Sequence, residues 1–348
     1  MTQNDPSGTA VEPAGKSVRL LLANADFRRV WLIGIFSGVV RWLELLAYGI
    51  YAFDLTGSAF LVTTFTLLRF IPFALFGAVT GVLVDRFGHQ NVLRYSLLLM
   101  CLTSGVLVWL ASSDQLELWH LAIANILGGF YWTTDFPARR NLIGQLAGPN
   151  LLARALSFDA ACNTLTRAAG PLCGGLLMAT LGISGIINLS AVLYVMAALL
   201  AFRMMVDSQR PESVALSLAR EIWGGVRFAA TRRDLLAAFS ITLIFNLFGF
   251  PFTALIPVIG KQVLGLSPDG VGMIAAAEGM GAVIGALAAG RGRTTGQIWT
   301  NYAGGVVACL AGAFIIGAGS HILTVVPGVL LAGFGGGFFA ASQVTIIY

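Results

Sequence analysis

The chain has 348 residues, 57% of them hydrophobic and 11% charged, with 42 glycines, a net charge of +5 and a mean hydropathy of +0.83. A soluble domain carries about twice that charged fraction, and one globular core of this length cannot hide so much apolar surface. The composition therefore excludes a soluble enzyme, a nucleic-acid binder and a disulfide-stapled secreted domain, and makes lipid the solvent.

Residues 1–16, rich in Pro, Ser, Thr, Gly and Asp, have no basic stretch followed by a short apolar run, so they read as a tail and not as a cleaved signal. Ten stretches follow that are long and apolar enough for membrane helices: 28–53, 60–84, 91–111, 117–138, 155–180, 183–205, 234–260, 268–290, 299–319 and 321–348. None alternates strictly, which excludes barrel strands. The predicted class is an all-α polytopic membrane protein. It comprises a cytoplasmic tail (1–27), a six-helix bundle (28–205), a cytoplasmic linker (206–233) and a partial second bundle of four spans (234–348).

Of the 21 Lys and Arg residues, 17 fall in alternate connections: Lys16, Arg19, Arg28 and Arg29; Arg86 and Arg94; Arg139, Arg140 and Arg154; Arg203, Arg210, Arg220, Arg227, Arg232 and Arg233; Arg291 and Arg293. Only Lys261 lies on the other side. The positive-inside rule then puts the N-terminus and the 206–233 loop in the cytoplasm. The basic balance reports topology, so no nucleic-acid partner is expected.

A shift of 204 residues superposes Arg28-Arg29 on Arg232-Arg233, Gly77-Ala-Val-Thr-Gly-Val-Leu83 on Gly281-Ala-Val-Ile-Gly-Ala-Leu287, and Leu127-Gly-Gly-Phe130 on Leu331-Ala-Gly-Phe334. Three matches at one offset argue for a duplicated six-span unit. An even number of spans keeps both copies in one orientation. The same offset sends the copies of spans five and six beyond Tyr348, so two helices of a 6+6 plan are expected to be missing from this chain.

Gly81-Val-Leu-Val-Asp85-Arg86-Phe-Gly88, between spans two and three, resembles the G-x-x-x-D-R-x-G signature of the major facilitator superfamily. Gly81 would let helices approach, Gly88 would turn the chain, and Asp85-Arg86 offers a breakable polar latch. The two basic residues that usually follow are His89 and Gln90 here, and Ala289 stands where a second-half Asp would. In span five, Gly170-Pro171-Leu-Cys-Gly174-Gly175 resembles the G-P-x-x-G-G motif of exporting, proton-antiporting branches; the plainer reading is a packing kink. Phe27-Arg-Arg29, Leu55-Thr-Gly57-Ser-Ala59, Pro137-Ala-Arg139 and Glu221-Ile-Trp-Gly-Gly-Val-Arg-Phe228 are similar to the branch with siderophore and macrolide exporters. The resemblance implies alternating access about a central site, a small-molecule substrate with protons, no cofactor, and a monomer in the bacterial inner membrane. Uptake or lipid flipping on the same fold, or a transport-inactive sensor, are the alternatives.

Ionisable groups inside spans are costly unless paired or wet. Arg41, Glu44, Tyr48 and Tyr51 share one face of span one, which by resemblance lines the central cavity; an Arg41–Glu44 pair on that face is the plainer reading. Tyr131, Trp132 and Asp135 with Phe130 in span four are further cavity candidates, and Phe248, Phe250 and Phe252 around Pro251 suggest a broken span seven. Arg41, Arg69 and Arg167 can balance Glu44, Asp135 and Asp159 within the first half. Glu278 then has no basic partner in its own bundle, so Glu278, Arg167, Arg69 and Asp159 are the coupling or gating candidates. By the family's packing, Glu278 would meet Arg167 across the two halves; snorkelling or backbone contacts are the alternative for Glu278.

Cys101, Cys162, Cys173 and Cys309 lack metal-ligand spacing and read as packing residues. His89, His120 and His321 are assigned to surfaces or interfaces, and no metal site, catalytic group or nucleotide-binding loop is expected.

Overall fold

The structure, a computed structural model, describes residues 14–206, 227–228, 230–290 and 294–347; a few side chains within helices, that of Asp85 among them, fall outside the description. The described residues form helices and no strand. Short α1 (Ala14–Ala23) leads into α2 (Ala25–Thr56). Asn24 caps α2, its side chain accepting from the backbone N–H of Asp26 at 2.9 Å and of Phe27 at 3.2 Å. Gly57, at φ 63°, ends α2 by donating to the Phe53 carbonyl at 2.7 Å. Ser58 then caps α3 (Ala59–Phe87). Gly88, at φ 82°, makes the turn into α4 (His89–Ser112), as its motif position requires.

Next comes α5 (Leu118–Phe202), 85 residues without an intervening loop. An unbroken helix of that length would rise about 130 Å against a hydrocarbon layer of about 30 Å. It is broken at Gly148 (φ 70°) and Gly182 (φ 63°), where non-helical backbone reverses the chain. Pro149 follows the first break, where its missing N–H costs nothing. Segments 118–147, 149–181 and 183–202 therefore correspond to expected spans four, five and six. The ten expected spans appear as eight continuous apolar stretches, because two predicted loops are single glycine kinks.

The second group of helices begins with α6 (Arg233–Val263). Two π-helical turns, Phe245–Gly249 and Ile259–Val263, interrupt it, with Pro251 and Pro257 nearby. This is the broken span expected around Pro251. It is followed by α7 (Pro268–Ala289), α8 (Thr295–Ala318) and α9 (Ile322–Ile347).

Helices α2, α4 and α5 share one apolar core with α1, and α7, α8 and α9 share another with α6. Within each group small residues let backbones touch. A Cβ on Gly129 would collide with the Arg69 carbonyl on α3, and one on Gly333 with the Glu278 carbonyl on α7. These two glycines are 204 residues apart, so the repeated Leu-x-Gly-Phe segments make the same kind of contact in both groups. Large apolar side chains such as Phe60, Leu75, Phe239 and Phe314 remain exposed on the outer faces, as a lipid-facing surface requires.

Three sequence expectations change here. Residues 14–27 are not tail: they hold α1 and the start of α2, and Leu21 is buried in the first core. Nothing among the described residues lies within 4 Å of a Cβ placed on Gly81, so no close helix approach is seen there, and Cys173 is exposed rather than packed. The predicted linker lies mostly outside the described residues, as does most of the Glu221–Phe228 motif.

Because the obstacle is backbone and Pro72, Gly129→Val should separate α3 from α5 and cost about 1–3 kcal/mol. A lowered apparent melting temperature in detergent is the expected readout; an unchanged one would mean the contact is slack.

Candidate functional site

The span-one stripe faces the interior of the first helix group. Arg41, Glu44 and Tyr48 are almost fully buried there. Arg41 and Glu44 do not pair with each other. Arg69 of α3 donates through Nη1 to Glu44 Oε2 at 3.0 Å, with Asn125 Oδ1 at 3.4 Å. Gly128 leaves room for that guanidinium, since a Cβ there would lie 3.0 Å from Arg69 Cζ.

Arg41 reaches the other way, donating to Asp135 Oδ2 at 3.2 Å. Tyr131, Asp135 and Arg139 follow one another at four-residue intervals on one face of segment 118–147. The Tyr131 hydroxyl donates to Asp135 Oδ1 at 3.2 Å and lies 2.5 Å from Ser37 Oγ. Arg139 Nε lies 3.7 Å from Asp135 Oδ2, and its Nη1 makes a close ion pair with Asp159 of segment 149–181. Gly34 makes space for this guanidinium. Arg139 is thus not a loop cation: it is 1% exposed. Sequence reading misplaces it because a basic residue at a predicted span end reads as topology, and it holds the place assigned to Arg167 in the first group's balance of three bases and three acids.

Arg167 is consequently free to cross between the groups. Its Nε donates to Glu278 Oε2 at 3.0 Å and its Nη2 to Glu278 Oε1, a two-pronged bridge from α5 to α7. Glycines set this geometry. A Cβ on Gly279 would lie 2.6 Å from Ala168 Cα, and one on Gly175 would lie 2.7 Å from Gly272 Cα. In the Gly170-Pro171-x-x-Gly174-Gly175 motif, Gly170 and Gly174 fit against α2 at Trp42 and Leu43, while Gly175 fits against α7. The motif seats α5 between the two groups.

Between the groups lies a small cavity lined by Trp42, Arg167, Pro171, Glu278, Thr66 and Thr253, with apolar walls from α2, α3, α6 and α7. It holds about 30 Å³ of water-sized space, room for about one or two water molecules. Of the seven expected cavity residues, none lines it; Tyr48, Tyr131 and Asp135 are packed inside the first group. Trp132 lies nearby, its ring 6.3 Å from that of Trp42 and 4.6 Å from Arg41 Cζ. Phe70 bridges from Trp132 to Phe250 of α6, each at 5.2 Å between ring centroids. Tyr51 is half-buried against the first group.

One further contact spans the interface. Asp54 of α2 and Lys261 of α6 pair at 2.9 Å across one end of the gap; sequence reading places Lys261 alone and passes over Asp54. Arg86 is exposed and lines an open cleft of about 610 Å³ with Tyr95 and Thr134, formed within the first group by α3, α4 and segment 118–147 and not by the interface. No group of three or more metal-ligating side chains occurs among the described residues.

Paired helical groups closing on a narrow, mostly apolar gap crossed by a buried Arg–Glu bridge have the arrangement of a membrane transporter of the two-bundle kind. Residues 30–348 match the Major Facilitator Superfamily, and the chain belongs to that family. Its fold and family are those of transporters, not enzymes. It is 22% identical over 303 residues to the macrolide efflux protein A of Streptococcus pyogenes, covering 86% of this chain and 73% of that protein. Over 284 residues it is 25% identical to the MFS-type transporter YfiS of Bacillus subtilis, covering 79% and 66%. Among solved structures it superposes on a bacterial homologue of the lysosomal transporter Spinster in an inward-facing, unoccupied conformation, with a TM-score of 0.65 and 14% identity, over 96% of this chain and 75% of that one. It also superposes on a D-xylose–proton symporter with a TM-score of 0.61 and 14% identity, over 90% and 81%. These two likenesses concern the fold.

The Arg139–Asp159 contact gives a direct test of the first group's charge balance. Asp159→Asn leaves a buried guanidinium with only the looser Asp135 contact and should cost about 3–5 kcal/mol, whereas Arg139→Met combined with Asp159→Leu removes both charges and should cost less. Apparent melting temperatures of the two variants check this order; the reverse order would show that Arg139 is hydrated.

Proposed function

We propose that the protein is a proton-coupled exporter of a bulky, largely apolar small molecule, working by alternating access, with the Arg167–Glu278 bridge as its coupling element. The bridge carries the reading. Among the described residues it is the one ion pair buried in the hydrocarbon region that joins the two helix groups. A guanidinium offers no proton to give up in a protein, so in this reading a change in the charge of the bridge falls to the carboxyl of Glu278. A proton on Glu278 replaces a charged, two-pronged contact by a neutral one and loosens α5 from α7. Loss of the proton draws the two groups together again.

Direction and substrate class draw on other observations. The Gly-Pro-x-x-Gly-Gly segment seats α5 against both groups, and the macrolide efflux relative covers most of the chain. The cavity wall of Leu45, Leu46, Val62, Ile256 and Pro257 favours an apolar ligand over a sugar, which needs many polar partners. The asymmetric distribution of Lys and Arg supports an N-terminus in the cytoplasm of a bacterial inner membrane, with two halves at 28–205 and 234–348. Asp85 and Arg86 act in this reading as a cytoplasmic latch, and Asp54–Lys261 as a contact holding the other end.

Everted membrane vesicles acidified inside should accumulate a macrolide through the wild-type chain, and Glu278→Gln should abolish the dependence on the pH gradient. Accumulation by Glu278→Gln that stayed gradient-driven and undiminished would remove Glu278 as the coupler. Accumulation only in right-side-out vesicles would establish uptake.

A further inference from the structure

Trp42 takes part in no ion pair, and its polar atom has no use in the mechanism above. On α2 it adjoins Arg41, but it faces the gap between the groups and lines the cavity with Arg167 and Glu278. The Arg167 guanidinium carbon lies 5.2 Å from the indole centroid. Arg41 has the corresponding place on Trp132, and the two indoles meet edge to face. The Trp42 Nε1 is buried and has no hydrogen-bond partner among the described residues. A buried indole N–H ordinarily finds an acceptor, and one left unmet is a standing cost.

These contacts address a problem that the coupling reading creates. Once Glu278 is neutral, Arg167 is a cation in the hydrocarbon region without its counter-charge. An aromatic face is a good alternative seat for a guanidinium, which is planar and weakly hydrated. Trp42 already touches it. The indole is a hydrogen-bond donor only, so whatever meets Nε1 must present an acceptor.

We propose that Trp42 is a two-sided subsite of this cavity: its ring face holds Arg167 when Glu278 is neutral, and its Nε1–H donates to a carbonyl, ether or hydroxyl oxygen of the transported compound. This rests on the reading of Glu278 as coupler and of the cavity as the transport route. It narrows the ligand class to bulky apolar compounds that carry exposed oxygen acceptors. The substrate oxygen takes the place of the water for which the cavity has room.

Two substitutions separate the two sides. Trp42→Phe keeps an aromatic face and removes the N–H; Trp42→Leu removes both. With a fourteen-membered macrolide as probe in everted vesicles, Trp42→Phe should raise KM about three- to tenfold, the worth of one hydrogen bond, and keep the wild-type pH profile. Trp42→Leu should raise KM at least as far and also displace the pH profile. A wild-type KM in Trp42→Phe, or one shared pH profile for both variants, would overturn the proposal. A second readout needs no transport: the apparent melting temperature of the purified chain. Trp42→Leu should lower it further in a Glu278→Gln background than beside native Glu278, whereas Trp42→Phe should lower it equally in both. If wild-type vesicles move no macrolide, the exporter reading fails and this thermal comparison decides the seat by itself; additive effects of Trp42→Leu and Glu278→Gln would then overturn it.

Discussion

A charge placed in hydrocarbon must be matched, and the architecture of this protein follows from how its few buried charges are matched. Arg69 is held by Glu44, and Arg41 and Arg139 by Asp135 and Asp159. All six of these side chains lie within the first helix group, on α2, α3 and two segments of α5. That leaves Arg167 and Glu278, one from each group, with each other. The first set ties helices of one group to each other. The last pair joins the two groups, and in the proposed mechanism it stands where a change in charge has a mechanical result.

Glycine makes this pairing geometrically possible. Charged side chains can meet across a helix interface only if the backbones come close. Gly279 against Ala168 and Gly175 against Gly272 bring α5 and α7 together on both sides of the bridge, while Gly34 and Gly128 give room to Arg139 and Arg69. The abundance of glycine in the sequence is therefore a requirement of buried arginines as much as of helix packing. The breaks at Gly148 and Gly182 serve a different purpose, folding one 85-residue stretch back on itself twice. The π-helical turns of α6 leave the helix facing the cavity less regular than its neighbours.

Much of this was legible in the sequence because it depends on spacing along one chain. Apolar stretches of about 20 residues, the 204-residue repeat, the turn at Gly88 and the broken helix at Pro251 are local signals, and they predict the helices well. The Arg167–Glu278 contact was legible in two steps: counting charges leaves Glu278 without a basic partner in its own half, and the resemblance to the family's packing, not the count, brings it to Arg167. What was not legible required distances between helices. Arg41 and Glu44 look like a pair at three-residue spacing, yet each turns to a different neighbour. Arg139 stands at the end of an apolar run and counts with the loops on sequence grounds, although the helix continues through it to the break at Gly148. Trp42 carried no signal: in a chain with 11% aromatic residues, one indole beside a charged stripe looks like packing until its unmet N–H and its arginine neighbour are seen together.

The central claim is that the charge on Glu278 sets the separation of α5 and α7. Spin labels at positions 157 and 287, on the N-terminal part of segment 149–181 and the C-terminal part of α7, in a chain without native cysteines, measure that separation directly by pulsed electron resonance. The account predicts that lowering the pH shifts the wild-type distance distribution toward longer values and that Glu278→Gln gives the long distribution at every pH. A wild-type distribution that does not move with pH, or a Glu278→Gln distribution that still does, would contradict it.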